Sequence, residues 1–369
     1  MAAENLAAAL AGAYPELAAV RAAAEDPVYV VGGAVRDLLL ERGRADLDIV
    51  VEGDALALAT RLGAAPVSHE RFATARVLLD GHRLDIASAR SESYPQPGAL
   101  PVVAAATSIE QDLGRRDFSI NAMAIALDEE SCLLDPHRGR DDLRAGLLRV
   151  LHRDSFRDDP TRAIRAARYA TRFGFSLAPE TAALLRASDL GSVSADRRRA
   201  ELKRLAAEAT GPEGLALLVE WGLIEPRAGG LELATRVAQL LLTPPWSDLV
   251  PRAEALLRGA LGPVGGEVEL LASQPQRPSQ AVDLAARHDP VELALARAMG
   301  AEWLDRYLAE WRTAALEIDG SDLVAAGVPE GPAVGAGLRA ARRRRLDDDL
   351  TDRAAQLAVA LDAARAGEL

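Results

Sequence analysis

The sequence predicts an α+β protein, with a small mixed sheet and a few helices at the start and only helices after it. Two observations carry this. Short β-branched runs alternate with helical stretches only within roughly the first 135 residues. From Asp141 onward apolar residues recur at spacings of three and four, as at Leu184, Leu185 and Ala187, which is helical periodicity.

Taken in order, residues 1–27 form an N-terminal helical segment, and Val28–Val31 is a buried strand that Gly32-Gly33 turns into a helix over Ala34–Glu41. Asp46–Val51 is a second strand, Ala55–Leu62 a helix, Ala75–Leu79 a third strand and Arg83–Ala89 a fourth. Asp80-Gly81 joins the last two as a two-residue hairpin. Gly211-Pro212, Thr243-Pro244-Pro245 and the polar stretch Ser273–Ser279 cut the helical part into pieces of bundle size. The expected division is a head over 28–137, a neck over 138–210, a body over 211–300 and a tail over 301–369.

Of 369 residues 49% are apolar and 27% charged, which excludes a disordered or fibrous chain. No apolar run reaches the ~20 residues of a membrane span and the start lacks a signal-peptide layout, so a cytoplasmic protein with no membrane partner is expected. The single cysteine, Cys132, leaves no internal disulfide and fits a reducing compartment. A net charge of −12 looks wrong for a nucleic-acid partner, yet residues 138–172 hold ten arginines against five acids. Such a stripe is either a solvated helix face or an electrostatic footprint, and chemistry beside it must decide.

Three clusters supply that chemistry. Asp46 and Asp48, two apart on a strand, project to the same side and offer a divalent cation such as Mg²⁺ a carboxylate pair. Asp85 on a neighbouring strand could add a third; the alternative is an exposed acidic edge. Just upstream, Gly32-Gly33 lets backbone approach a phosphate, and Arg36 can add a guanidinium. In the second cluster, Arg115–Ala122, Arg116 can take phosphate charge while Asp117 and Asn121 hold ribose hydroxyls, or Asp117 is merely a helix cap. In the third, Asp159, Arg162, Arg165 and Arg168 follow three-residue steps, so one helix face offers a carboxylate and three guanidiniums. A carboxylate accepts from an exocyclic amine and a guanidinium donates to ring acceptors, which can read the edge of cytosine or adenine. A salt-bridged surface helix is the plain alternative.

With these clusters in order the chain resembles the bacterial class of CCA tRNA nucleotidyltransferases and poly(A) polymerases. Gly32–Asp37 with Asp46-Leu47-Asp48 looks like the family's first motif and Arg115–Ala122 its second. Asp135–Arg149 is similar to the third, Asp158–Phe175 to the fourth and Asp196–Leu202 to the fifth. The likeness runs over about residues 28–210 and returns at Ile318–Leu323 and Gly331–Gly335. It implies a polymerase-β-like head, with Asp46 and Asp48 as metal ligands and Asp85 in support. It also implies nucleotide contacts at Gly32, Gly33, Arg36, Arg116, Arg165 and Arg168, ribose contacts near Asp117 and Asn121, and base reading by Asp159 and Arg162. The implied reaction is Mg²⁺-dependent, template-independent addition of CCA to tRNA from CTP and ATP. One departure is Asp158, where the family usually has Glu.

Residues 91–114 are longer than the shortened loop of enzymes that stop at CC, and Ser68–Phe72 replaces the basic stretch usual in poly(A) polymerases of this class. CC-only and poly(A) synthesis are therefore not expected; no residue separates full CCA addition from A-only addition, and full CCA addition is the favoured expectation. A second hypothesis is a non-catalytic RNA- or nucleotide-binding protein that keeps the head as scaffold. His288-Asp289 lacks further histidines for a metal cluster, and Trp221, Trp246, Trp303 and Trp311 read as helix-packing anchors. Arg342–Arg345, followed by Asp347–Asp349, is either a tRNA-backbone contact or a self-neutralising helix.

Overall fold

A computed structural model describes residues 3–44, 46–63, 67–69, 74–128, 131–263 and 265–366, with the side chains of 3–5 and 67–69 set aside. Residues 70–72 of the Ser68–Phe72 run lie outside them. The chain divides into two compact units, 1–224 and 225–369.

Among its described residues the first unit has eleven strands: β1 Val28–Val31, β2 Leu47–Val51, β3 Val67–His69, β4 Thr74–Leu79, β5 His82–Ser88, β6 Arg90–Ser93, β7 Val102–Ala105, β8 Ala124–Ala126, β9 Leu133–Leu134, β10 Leu147–Leu148 and β11 Ser176–Leu177. Seven of them form one sheet in the order β3-β4-β5-β2-β1-β8-β9. Only the β2–β5 pairing in it is parallel; the others are antiparallel. The hairpin forms as its sequence dictates: Asp80 and Gly81 both take positive φ (50° and 79°), the two left-handed positions that match strand twist, and Leu79 pairs with His82.

Alternation sorts the sheet into two faces. Val30, Ile49, Val77, Leu84 and Ile86 enter the main core with the N-terminal helices, whereas Val31 and Val50 point the other way, against Ile109 and Leu113 of the helix Ile109–Gly114. Period two therefore places Asp48, Asp85 and Arg76 on that second face. The register sets them side by side, since Asp48 lies opposite Asp85 and Asp85 opposite Arg76.

The helical periodicity after residue 141 misses two short strands, β10 and β11, which pair in parallel. At two residues each they carry no readable alternation. The β6–β7 pair escapes the sequence for a similar reason, because β6 is polar and neither strand carries a buried stripe. The helix Thr161–Phe173 ends on Gly174 in the left-handed conformation, a common C-terminal stop. The helix Gly211–Glu220 belongs to the first unit, with Leu217, Trp221 and Leu223 packed on its core.

The second unit is helical among its described residues. Trp246 is buried and its Nε1 donates to Asp305 Oδ1 at 3.0 Å, which makes it a packing anchor. In the helix Pro332–Asp347, Arg344 pairs with Asp348 at 2.8 Å and Arg345 with Asp349, so two of the four arginines meet the acids that follow them, while Arg343 faces Asp283 at 4.0 Å. No described helix is long and apolar enough to cross a membrane.

Candidate active site

Gly32 ends β1 at φ 68°, ψ −122°, a conformation an L side chain rarely adopts. A Cβ there would also meet Arg116 Nη1 at 2.7 Å. Glycine thus lets a guanidinium lie directly on the turn. Arg116 is held there from behind by Asp112, fully buried, whose Oδ2 accepts from Arg116 Nη2 at 2.9 Å while Oδ1 accepts from Arg115 Nη2 at 2.8 Å. Sequence reasoning missed Asp112, although an acid three and four residues before two arginines is a helical pairing pattern.

Asp117 precedes and Asn121 ends a stretch with a short 3-10 turn, Ser119–Asn121, in which the neighbouring Phe118 and Ile120 are fully buried. These anchors aim the polar pair at the opposite side. Asp117 Oδ1 accepts from Asn121 Nδ2 (2.9 Å), Asn121 Oδ1 accepts from Arg36 Nη1 (2.6 Å), and Asp117 Oδ2 accepts from Arg165 Nε (2.9 Å). Arg165 continues the chain: Nη2 donates to Asp159 Oδ2 (3.1 Å) and Nη1 to Thr161 Oγ1 (3.0 Å). Asp159 Oδ1 accepts from Thr161 and from Arg197 Nη2 at 3.0 Å. Burial alone would raise the carboxyls of Asp117 and Asp159, but Arg165 and the hydrogen bonds around them outweigh it and hold both below the usual range. The Arg197 contact was not expected; nothing in its spacing announces a partner 38 residues away.

Twelve of the thirteen sequence-predicted residues line one cavity of about 820 Å³: Gly32, Gly33, Arg36, Asp46, Asp48, Arg116, Asp117, Asn121, Asp159, Arg162, Arg165 and Arg168. Asp85 does not. Although it neighbours Asp48, its carboxylate accepts from Arg76 Nε at 2.8 Å and from Arg83. Burial would push that carboxyl up, but the two arginines hold it low. Among the described residues no group of three acidic, histidine or cysteine side chains is placed to hold a metal together. The third carboxylate is thus adjacent to the pair but engaged elsewhere.

Asp46 and Asp48 form no hydrogen bond or ion pair with a described residue, so the exposed-edge alternative has to be weighed against their place in the cavity wall. Asp48 is exposed to the open cavity, yet the protein mass crowding its carboxyl pushes it up, with Arg116 opposing and Asp85 and Asp46 adding to the push. Two uncommitted carboxylates whose charges repel each other suit a divalent cation, which would relieve that repulsion.

Several expected ligand groups are already spent within the protein. Arg36 is buried, with Nε on Asp37 and its guanidinium 4.7 Å from the Phe173 ring centre. Both polar groups of Asn121 are used by Asp117 and Arg36, and all three nitrogens of Arg165 have protein partners. A ribose or phosphate would reach them only by exchanging partners. Arg162 differs. Its Nη1 donates to Ser155 Oγ and its Nη2 to the Arg115 carbonyl at 2.8 Å, but Nε is buried with no partner among the described residues, as is Nε of Arg168.

Comparison with known proteins bears on this geometry. Residues 28–149 match the model of the poly A polymerase head domain. The chain is 35% identical over 336 residues to a CC-adding tRNA nucleotidyltransferase of Deinococcus radiodurans, covering 86% of this chain and 84% of that one. The chain belongs to the bacterial CCA tRNA nucleotidyltransferase family. It is also 48% identical over 194 residues to an A-adding tRNA nucleotidyltransferase of Halalkalibacterium halodurans, which is 49% of this chain and 45% of that protein. The chain spans less than half the length of the A-adding members it matches. Among solved members of the family, a CCA-adding enzyme in an apo form superposes with a TM-score of 0.78 at 28% identity, over 97% of this chain and 98% of that one. The Thermotoga maritima CCA-adding enzyme complexed with tRNA-CCA gives 0.70 at 28% identity, over 95% and 94%. The expected polymerase-type head followed by helices is the fold of this family.

Proposed function

We propose that this chain is a cytoplasmic, Mg²⁺-dependent nucleotidyltransferase that adds CCA to the 3′ end of tRNA from CTP and ATP. The observation that carries the proposal is the single cavity in which an uncommitted carboxylate pair faces arginines with unpartnered buried donors.

In this reaction the 3′ oxygen of the acceptor strand bonds to the α-phosphorus of the incoming nucleotide. The bond to the pyrophosphate oxygen breaks, and the hydroxyl proton leaves to solvent. Asp46 and Asp48 would hold divalent cations, which lower the barrier by polarising the hydroxyl and stabilising the leaving pyrophosphate. Arg116, lying on the Gly32 turn, binds phosphate oxygens there. Among the described residues Asp159 Oδ2 accepts only from Arg165, leaving capacity for an exocyclic amine, and Arg162 Nε is a buried donor for a ring acceptor beside it. Cytosine and adenine both offer an amine next to a ring nitrogen; uracil does not. Base reading by this pair would therefore accept CTP and ATP and reject UTP.

The test is incubation of the protein with tRNA lacking its last three nucleotides, with labelled CTP, ATP or both. CTP alone should extend by two residues and both together by three. Likeness to a CC-adding protein over most of the chain favours a two-residue stop, and likeness to A-adding proteins favours extension only of tRNA already ending in CC. The same gel separates these products. Asp48→Asn should abolish incorporation while tRNA still binds, and Arg162→Ala should raise UTP misincorporation more than it weakens tRNA binding. Binding without any incorporation by the unaltered protein would leave a non-catalytic RNA-binding protein instead.

A further inference from the structure

Arg162 is only 2% exposed, yet one of its partners stands in solvent. The exposed His152 lies outside the cavity lining, and its Nε2 faces Arg162 Nη1 at 3.4 Å. We propose that His152 is a positioning residue for base selection: as a neutral imidazole it accepts from Arg162 and holds the guanidinium in its reading pose, and when protonated it releases that pose. This role rests on the proposed base reading by Asp159 and Arg162 and makes that reading sensitive to the pH of the solvent.

Arginine carries five N–H donors and no acceptor, so an imidazole nitrogen that meets Nη1 must supply its lone pair. The proton of the neutral ring then sits on Nδ1. Nη1 also donates to Oγ of the buried Ser155, and Nη2 to the Arg115 carbonyl at 2.8 Å. Three acceptors around one planar fork fix its plane, and with it the direction of Nε–H, the donor without a partner among the described residues. Of the three contacts the one to His152 is the longest and the only one whose acceptor can take up a proton near neutrality.

Protonation reverses the contact. With a proton on Nε2 the ring has no acceptor left, and two cations meet at hydrogen-bond range. Arg162, on the helix Thr161–Phe173, repels the imidazolium, as does His137, ahead of the helix Gly139–Ala145, when it is charged. Asp154 and Asp158, at the two ends of the short helix Ser155–Asp158, attract it. Protein crowding one side of the exposed ring comes first and Arg162 second; together they prevail over the two acids and hold His152 below the ordinary histidine value of about 6.5. The neutral, bonded form is therefore complete above about pH 6.5 and drains as pH falls through the lower native value. That range lies above the acid region in which Asp117 and Asp159 give up their charge, so selectivity is lost while the carboxylate network is intact.

Two measurements decide the matter. The first is the ratio of kcat/KM for CTP to that for UTP on the truncated tRNA, at pH 7.5 and pH 5.5; a ratio cancels what pH does to the chemistry both nucleotides share. In the parent it should fall at least threefold at pH 5.5. His152→Gln offers a carbonyl acceptor that does not titrate and should keep the parent's pH 7.5 ratio at both pH values, whereas His152→Leu should give the low ratio at both. A flat ratio in the parent, or the same pH dependence in His152→Gln, would overturn the proposal. If Arg162→Ala leaves the ratio unchanged, the base-reading assignment has failed and this role falls with it; if Arg162→Ala lowers the ratio and His152→Leu does not, the reading stands and only the role of His152 is refuted. The second follows the His152 ring by nitrogen NMR against pH, its signals identified by their loss in His152→Gln. In Arg162→Met its titration should move up toward the ordinary value, and an unmoved titration refutes the contact even if the protein adds no nucleotide.

Discussion

Arg165→Met removes one side chain that three groups depend on. The Arg165 guanidinium is 19% exposed and bridges two carboxylates, Asp117 and Asp159, that are themselves only 13% and 9% exposed. Methionine keeps most of the volume but strips Asp117 of its ion-pair partner and leaves Asp159 with Arg197 alone, and breaking a buried pair from one side costs about 3–5 kcal/mol. The two losses share one residue and do not simply add. Arg197 still serves Asp159 and Asn121 still serves Asp117, which keeps the total in that range. At 1.4 kcal/mol per tenfold, amide exchange in segments 117–121 and 161–173 should accelerate by about two to three and a half orders of magnitude. Exchange mass spectrometry reads this directly. The triple change Asp117→Asn, Asp159→Asn, Arg165→Met removes the stranded charges and should recover most of the loss, to within about 1–2 kcal/mol of the starting protein. Acceleration below tenfold in the single variant, or no recovery in the triple, would refute the view that this network is a charge-compensated joint.

The same geometry fixes other outcomes. Gly32→Ala forces a side chain into positive φ and against Arg116, so it should cost about 1–2 kcal/mol and sharply weaken nucleotide binding. Gly33→Ala, whose added Cβ meets only Arg36 Nη2 at 3.6 Å, should bind nucleotide nearly normally; isothermal titration of both checks the contrast. Asp112→Asn should raise the KM for nucleotide by freeing Arg115 and Arg116 from their buried anchor, with tRNA affinity less affected. Asp117 and Asp159 have lowered carboxyl pKa values, so the stability they give is complete above the ordinary aspartate value near 3.9 and drains as pH falls toward their native values. Protection of segment 161–173 should therefore fall below about pH 4 in the parent protein, and less so in Asp117→Asn.

Much of this site is legible in the sequence because its residues sit at fixed offsets within single elements. Asp46 and Asp48 share a strand face by period two, and Arg162, Arg165 and Arg168 share a helix face by steps of three. Those rules need no knowledge of the tertiary fold. The partners are another matter. Arg197 reaches Asp159 only because two helices pack together, whereas the pairing of Asp85 with Arg76 follows from the register of the Asp80-Gly81 hairpin and was open to sequence reasoning, which passed over it. The short strands β10 and β11 and the hairpin β6–β7 went unread for want of length or a buried stripe.

The arginines of the cavity show how a site for polyphosphate can sit in an acidic chain. The cavity is lined by nine arginines and six acids, yet most of these cations already serve protein carboxylates. An array of bare guanidiniums would repel itself and cost stability until a ligand arrived. Interleaved carboxylates offset that repulsion and fix each guanidinium, leaving single donors, Arg162 Nε and Arg168 Nε, buried and unsatisfied. An unmade hydrogen bond of this kind costs about 1–3 kcal/mol, which a correctly shaped ligand returns and a wrong one does not. Discrimination would then come from a few withheld hydrogen bonds, and net positive charge would serve only to gather the anion.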